Sequence, residues 1–243
     1  MKVITLGTSH GNAEPGRSCS ATLLQVGNGY YLLDCAAPVE RMMRDKGIEV
    51  AAIKAIFVTH LHVDHIATIP EVLKRFACDY EKHRTVDLFM PEQNAIDGLR
   101  TWLASIHFGT AQTFMRTHET QEGVIYEDEN VKVTAIRTQH MGGDLPSYAY
   151  LFEGEGKKLL HTGDLRGDFA DYPAITAEEE FDAIVSELTH FSVTNALPRL
   201  VASRTKKMIF THIYPARIER IGQVADQFPF PFFLANDGDE FEV

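Results

Sequence analysis

The 243-residue chain has only 3 cysteines, Cys19, Cys35 and Cys78, an odd number with no Cys-x-x-Cys pair. That scarcity argues against a disulfide framework and against a thiolate zinc site, so metal ligands are expected to be nitrogen and oxygen. Long hydrophobic runs are missing too, which excludes a membrane-spanning helix. The opening Met1-Lys2-Val3-Ile4-Thr5-Leu6-Gly7 reads as a strand and lacks the basic and then apolar regions of an export leader, so a cytoplasmic location is expected. Positive charge is in deficit, with 23 Lys+Arg against 34 Asp+Glu and a formal net charge of −11. A polyanionic partner needs a basic footprint, so tight nonspecific binding to nucleic acid is disfavoured. Bound dications would weaken that inference, because they dominate the field in their own site. Low-complexity linkers and short repeats are also lacking, and the length suits one sandwich or barrel, which predicts a single domain over residues 1–243.

What the chain does have is histidine in one place. Thr59-His60-Leu61-His62-Val63-Asp64-His65 puts three imidazoles and a carboxylate into six positions. Each of these groups would need its own partner if buried in a core, so a metal centre is the economical explanation over an incidental His-rich loop. The run follows the β-branched and aromatic stretch Lys54–Thr59 and precedes a helical pattern over Ala67–Phe76, which predicts a strand-to-helix loop. In an extended segment side chains two apart share a face, so His60 and His62 are placed to grip one ion while Asp64 and His65 face a second.

Elsewhere, strands are predicted at Val3–Leu6, Ala21–Val26 and Tyr30–Asp34, the last two joined by the hairpin signal Gly27-Asn28-Gly29. A helix with Pro38 in its first turn follows, ending before Gly47. Then come strand Val86–Met90, helix Gln93–Ile106, and strands Val131–Thr138, Ser147–Phe152 and Lys158–His161. The last third alternates: strand Asp182–Glu187, helix Thr194–Ser203, strand Lys207–Thr211, helix Ala216–Gln227 and strand Phe232–Ala235. Two packed sheets with outer helices are the expected outcome. Trp102 and Phe108, near a helix end, are expected in the core rather than on a base-stacking platform.

A dinuclear site needs about three further ligands, one able to bridge. They stand at the ends of apolar strands: His140 before Met141-Gly142-Gly143, Asp164 in His161-Thr162-Gly163-Asp164, and His212 closing Met208-Ile209-Phe210-Thr211-His212. Each alone reads as a structural histidine or a turn carboxylate, but after the hexad they read together as one rim.

With Asp34 after an apolar strand, this ordered set resembles the metallo-β-lactamase-fold hydrolases from about Thr5 to Gly238. The resemblance implies an α/β fold, an αββα sandwich of two mixed β-sheets with outer helices, and two divalent metal ions, zinc first, with Mn, Fe or Ni compatible. It implies His60, His62 and His140 on the first ion, Asp64, His65 and His212 on the second, Asp164 between them, and Asp34 orienting the hexad without binding metal. Leu6-Gly7-Thr8-Ser9-His10-Gly11, Arg17-Ser18-Cys19-Ser20, Leu33-Asp34-Cys35 and the ending Leu234–Glu240 are similar to the phosphodiesterase branch, which includes ribonuclease Z and small cyclic-phosphate phosphodiesterases.

The chain departs from ribonuclease Z twice. His140 and Asp164 are only 24 residues apart, filled by two strands, which leaves no room for the inserted arm that grips transfer RNA. The run Ser186-Glu187-Leu188-Thr189-His190 has serine where ribonuclease Z has a proton-transferring histidine. Glu187 is expected beside the site and His190 is the leading candidate to protonate the leaving group, ahead of His161, which more naturally packs in the core. Asp64 is expected to orient the attacking water as well as to bind metal. His10 either lines the mouth or is a turn residue, and Arg166 either contacts phosphate or pairs with Asp168. The expected substrate is a small-molecule or nucleotide phosphodiester, with transfer RNA disfavoured, no membrane partner and a homodimer left open. The alternatives are a lactone, ester or β-lactam-type hydrolase with the same metals, and a noncatalytic scaffold that kept the sandwich.

Overall fold

Strands whose two faces are both apolar demand cover on both sides, and this chain supplies it with four layers. In the computed structural model, which describes residues 1–78 and 84–243, the strands in chain order are β1 (Lys2–Gly7), β2 (Ala21–Val26), β3 (Gly29–Leu33), β4 (Ile53–Phe57), β5 (Val86–Met90), β6 (Met115–Glu119), β7 (Gly123–Glu127), β8 (Lys132–Thr138), β9 (Ser147–Gly154), β10 (Lys157–His161), β11 (Ala183–Leu188), β12 (Met208–Ile213), β13 (Phe232–Leu234) and β14 (Glu240–Glu242). They form two mixed seven-stranded sheets, in the orders β14-β1-β2-β3-β4-β5-β6 and β13-β12-β11-β10-β9-β8-β7. The α-helices among the described residues are α1 (Val39–Asp45), α2 (Val63–Ile66), α3 (Ile69–Cys78), α4 (Gln93–Ser105), α5 (Ile175–Glu178), α6 (Val193–Val201) and α7 (Pro215–Gly222).

Period-two alternation sorts side chains between layers. Tyr31 and Leu33 of β3, and Ala55 and Phe57 of β4, face inward to meet Val133, Tyr150, Phe152 and Val185 of the other sheet. Their neighbours Leu32 and Ile56 face outward against Met43 of α1 and Val72, Leu73 and Phe76 of α3. On the far side Ile184 and Phe210 pack against Val193, Ala196 and Leu200 of α6 and Ile221 of α7. Phe57 anchors the middle, with rings of Phe89, Tyr150 and Phe152 centred 5.0 to 5.6 Å away. This is the expected αββα sandwich.

Several expectations need adjustment. Strands β6, β7 and β14 were not anticipated: each closes a sheet edge, where polar sequence such as Met115-Arg116-Thr117-His118-Glu119 is tolerated because one side is left to solvent. The helix expected to reach Gln227 stops at Gly222, a poor helix former, and resumes only as a 3₁₀ turn at Ala225–Gln227. Trp102 is 50% exposed and so is not core; it sits one residue, about 100°, off the buried Leu103. Phe108 is partly buried against the core, as expected. No helix among the described residues is long and apolar enough to cross a membrane.

Candidate metal centre

The parallel pairs β3/β4 and β10/β11/β12 end at one edge of the sandwich, and β8 runs with them because it is antiparallel to β9, itself antiparallel to β10. Ligand sites of open α/β sheets form beyond the carboxyl ends of strands, and every nominated residue lies there. Asp34 follows β3, the hexad follows β4, His140 follows β8 and Asp164 follows β10, while Glu187 and His212 close β11 and β12. Asp64 and His65 fall in the single-turn helix α2, so only the first part of the hexad is the loop expected. Asp34 and His212 adopt left-handed backbone, with φ of 56° and 48°. Such conformations cost about 1–3 kcal/mol each and persist where surrounding structure fixes them. At His212 the cause is visible: the β11/β12 register skips from Thr211 to Ile213, so His212 is a bulged residue turned out of the ladder.

Donor atoms converge in adjoining clusters. His60, His62, His140 and Asp164 each offer one atom within 4.8 Å of the others, and so do Asp64, His65 and His212, and Asp164, His190 and His212. His62 Nδ1 lies 3.0 Å from His60 Nε2 and 3.3 Å from His140 Nε2. Asp164 Oδ2 stands at the centre, 3.7 Å from His60 Nε2, 3.8 Å from His140 Nε2, and 3.3 Å from both His65 Nε2 and His212 Nε2.

The other ring nitrogen of most of these histidines is held from behind, which fixes tautomer and aim. His65 Nδ1 bonds Asp34 Oδ2 at 2.7 Å, His140 Nδ1 donates to the Leu165 carbonyl at 3.0 Å, His212 Nδ1 meets Ser20 Oγ at 2.8 Å, and His60 Nδ1 meets Thr59 Oγ1 at 3.0 Å. Asp34 also accepts from the Thr59 amide and hydroxyl, so one buried carboxylate steadies two of the histidines. Glu187 accepts from the Leu165, Thr189 and His190 amides.

Residues 1–225 match the family described as anti-Pycsar protein Apyc1. The chain belongs to that family. A ribonuclease Z of Methanocaldococcus jannaschii is 31% identical to this Apyc1 family member over 167 residues, 66% of the chain and 50% of the relative. The chain thus spans about half the length of the first curated relatives it matches. The metallo-β-lactamase fold protein YhfI of Bacillus subtilis superposes with a TM-score of 0.80 at 17% identity, covering 100% of this chain and 99% of that one. A diphosphatase from the PhnP family gives 0.73 at 20% identity, covering 100% and 97%. The fold of this Apyc1 family member is therefore the metallo-β-lactamase fold.

Electrostatics of the cluster suit a cation. Burial, with the neighbouring His65, keeps the His60 pKa far below the ordinary imidazole range, and burial also lowers those of His62 and His212. Neutral imidazoles have the free lone pair that a metal requires. Burial acts against a charge on His65, yet the Asp164 and Asp34 carboxylates outweigh it and raise its pKa well above the usual value. Burial would raise the Asp164 pKa, but His212 and His65 hold it well below the carboxylate range. The fit to metal is tested by one atom: His65 Nε2 is buried, makes no hydrogen bond, and faces Asp164 Oδ2 and Asp64 Oδ2 at 3.3 and 3.4 Å. An all nitrogen and oxygen donor set around such an orphaned nitrogen fits divalent ions of the zinc type.

The remaining sequence candidates separate cleanly in this Apyc1 family member. His190 joins the cluster, its Nδ1 2.9 Å from Glu187 Oε2 and 3.6 Å from Asp164 Oδ2. Burial opposes its charge, but the Glu187 bond and charge push its pKa up to about 9. His161 is buried, accepts from the Gly163 amide at 3.1 Å, and has its pKa lowered by burial to about 4, in keeping with a packing role. Arg166 pairs with Asp168 at 2.7 Å. Ser186 is buried beneath Glu187 and bonds its carbonyl. Sequence reasoning missed Ser20, Thr59 and the Leu165 carbonyl as braces. Ser20 stood in Arg17-Ser18-Cys19-Ser20 and Thr59 headed the histidine run, but neither pattern says which histidine a hydroxyl will brace, and the third brace is backbone.

Proposed function

We propose that the chain is a dinuclear metal-dependent phosphodiesterase, working as a single domain on a small or nucleotide-type phosphodiester. The observation that carries this reading is the position of Asp164 Oδ2, 3.3 to 3.8 Å from four imidazole nitrogens of two donor clusters. His60, His62 and His140 would hold one cation, and Asp64, His65 and His212 the other, with Asp164 shared. Zinc suits the donors best, and manganese, iron and nickel accept them. Such cations supply Lewis acidity toward phosphate oxygens and lower the pKa of water toward about 7.

The chain's own groups do the rest. Asp64 accepts a hydrogen bond from the attacking water and aims it at phosphorus. His190, held at Nδ1 by Glu187, keeps Nε2 free to protonate the leaving oxygen, a transfer that needs an approach of about 2.6–3.2 Å. Asp34, Thr59, Ser20 and the Leu165 carbonyl hold the imidazoles in place, so the donors need little reorganisation during reaction.

A compact substrate is favoured over transfer RNA. The 24 residues from His140 to Asp164 are taken up by β9 and β10, and the net charge of −11 offers no basic footprint. The likeness to a PhnP-family diphosphatase along the whole chain supports small phosphoesters, and the reading includes a cytoplasmic location. The test is a panel of bis-nitrophenyl phosphate, a cyclic nucleotide, an acyl lactone, a chromogenic cephalosporin and a precursor transfer RNA, each with zinc- and manganese-loaded protein. Turnover of the first two alone is expected. Turnover of lactone or cephalosporin with neither phosphodiester cleaved would move the protein to the carboxyl-ester and amide hydrolases.

A further inference from the structure

Two aromatic rings outside the histidine and aspartate cluster meet beside it. Beyond β1 the chain continues through Thr8 and Ser9, and there it is stitched to the opposite sheet: the Ile213 amide donates to the Thr8 carbonyl at 2.8 Å, and Ser9 forms an isolated parallel bridge with Ile213. The next residue on each side of that stitch is aromatic. His10 and Tyr214 have ring centroids 5.0 Å apart with planes inclined at 59°. Tyr214 is two residues past His212, and a β-carbon on Gly11, next to His10, would lie 4.0 Å from Asp64 Oδ2. The ring pair therefore stands at the Asp64, His65 and His212 side of the cluster.

Neither ring is consumed by the core. Tyr214 is 42% exposed. His10 Nδ1 is buried without a hydrogen bond, the Glu14 carboxylate lying at ion-pair distance, 3.4 Å. The backbone of Tyr214 is fixed on both sides: its amide donates to the Leu188 carbonyl at 3.1 Å, and Pro215 restricts it to the extended conformation found, φ −78° and ψ 122°. A tyrosine then has only two side-chain torsions to order, so its face is presented at small entropic cost. Val63, between His62 and Asp64, and Leu145, on the loop after His140, are exposed aliphatic side chains, 72% and 51% exposed, and offer no flat ring. A flat aromatic face distinguishes planar from nonplanar ester groups.

We propose that Tyr214, backed by the tilted ring of His10, is the surface on which the base of a nucleotide phosphodiester stacks while its phosphate occupies the Asp164 cluster. The assignment deepens the phosphodiesterase reading and rests on it. Stacking of a base on an aromatic side chain changes binding by about tenfold or more.

The experiment compares wild type, Tyr214→Ala and Tyr214→Phe, metal-loaded, on a cyclic nucleoside monophosphate and on cyclic glycerol phosphate, which keeps the cyclic diester but has no base. The ratio of kcat/KM for nucleotide over glycerol ester is expected to fall about tenfold in Tyr214→Ala, mainly through KM, and to be retained in Tyr214→Phe. An unchanged ratio in Tyr214→Ala, or an equal fall in Tyr214→Phe, would overturn the stacking role. If wild type cleaves neither ester, the hydrolase reading fails by itself, and the platform is judged by calorimetric binding of a nucleoside monophosphate against inorganic phosphate. A tenfold loss for the nucleotide relative to phosphate in Tyr214→Ala supports it, and parallel affinities reject it.

Discussion

His190 Nδ1 lies 2.9 Å from Glu187 Oε2, and Glu187 is itself buried and tied to the Leu165, Thr189 and His190 amides. The carboxylate is held in place, and with it the orientation of the imidazole, as the proposed proton donor requires. Under the proposed mechanism His190, four residues after Ser186 and bonded to Glu187, supplies the proton that a histidine at position 186 would otherwise give. His190→Ala is expected to lower turnover at least tenfold for phosphodiesters with poor leaving groups and much less for nitrophenyl esters, which leave without a proton. Glu187→Gln should show the same selectivity in weaker form. Equal losses for both ester types would remove His190 from proton donation.

Asp164 joins the His60, His62 and His140 group and also the group with His190 and His212, and its Oδ2 lies 3.3 Å from His65 Nε2, whereas His62 belongs to one group. Asp164→Ala is expected to lose most of both metal equivalents, and His62→Ala to lose mainly one, with activity of each at least a hundredfold down. Elemental analysis of dialysed protein distinguishes the two patterns, and circular dichroism should show the sandwich kept in both. Full turnover by the metal-replete double variant would reject the site.

How much of this was legible in the sequence depends on where the information resided. His60, His62, Asp64 and His65 announced themselves by density, and His140, Asp164 and His212 by position after apolar strands. Strands β3 and β4 could be read as apolar runs because both faces are buried, but which face meets which core could not be read from them. The braces could not. Ser20 meets His212 across 192 residues of chain, and no local pattern marks a hydroxyl for that task. Edge strands β6, β7 and β14 were equally silent, since half-solvated backbone imposes no hydrophobic period. The pairing of His10 with Tyr214 is created by the Ser9 and Ile213 bridge between sheets, a tertiary event.

Acid stability should depend on Asp87. It is 7% exposed, bonds Arg116 Nε at 2.9 Å and His118 Nε2 at 2.8 Å, and also pairs with Arg116 Nη2. Burial alone would raise its pKa, but the Arg116 and His118 partners lower it below the ordinary carboxylate value. The folded state thus binds this proton less readily than the unfolded chain, so the stabilisation is present above about pH 4 and is lost as pH falls further. Asp87→Asn should cost about 2 kcal/mol at pH 7 and flatten the decline of stability as pH falls below about 4. Parallel urea-melt curves for the two proteins across that range would refute the linkage.

Gly163 carries a steric requirement that reaches the site through Thr59. Its φ is +60°, and a β-carbon there would stand 2.9 Å from the Tyr148 carbonyl oxygen and 3.0 Å from Thr59 Cβ. Thr59 in turn bonds both Asp34 and His60, so any relief of that contact moves two groups that orient the cluster. Gly156 provides the control, with φ +70° and nothing within 4 Å of an added β-carbon. Gly156→Ala should therefore cost only the left-handed penalty, about 1–2 kcal/mol, while Gly163→Ala adds crowding and should cost about 3–5 kcal/mol. Because the excess is transmitted through Thr59, Gly163→Ala alone is expected to weaken metal retention against a chelator. Equal destabilisation of the two variants, with metal retained alike, would show that the Tyr148 and Thr59 contact yields freely and does not hold the Thr-Gly-Asp turn in register with the hexad.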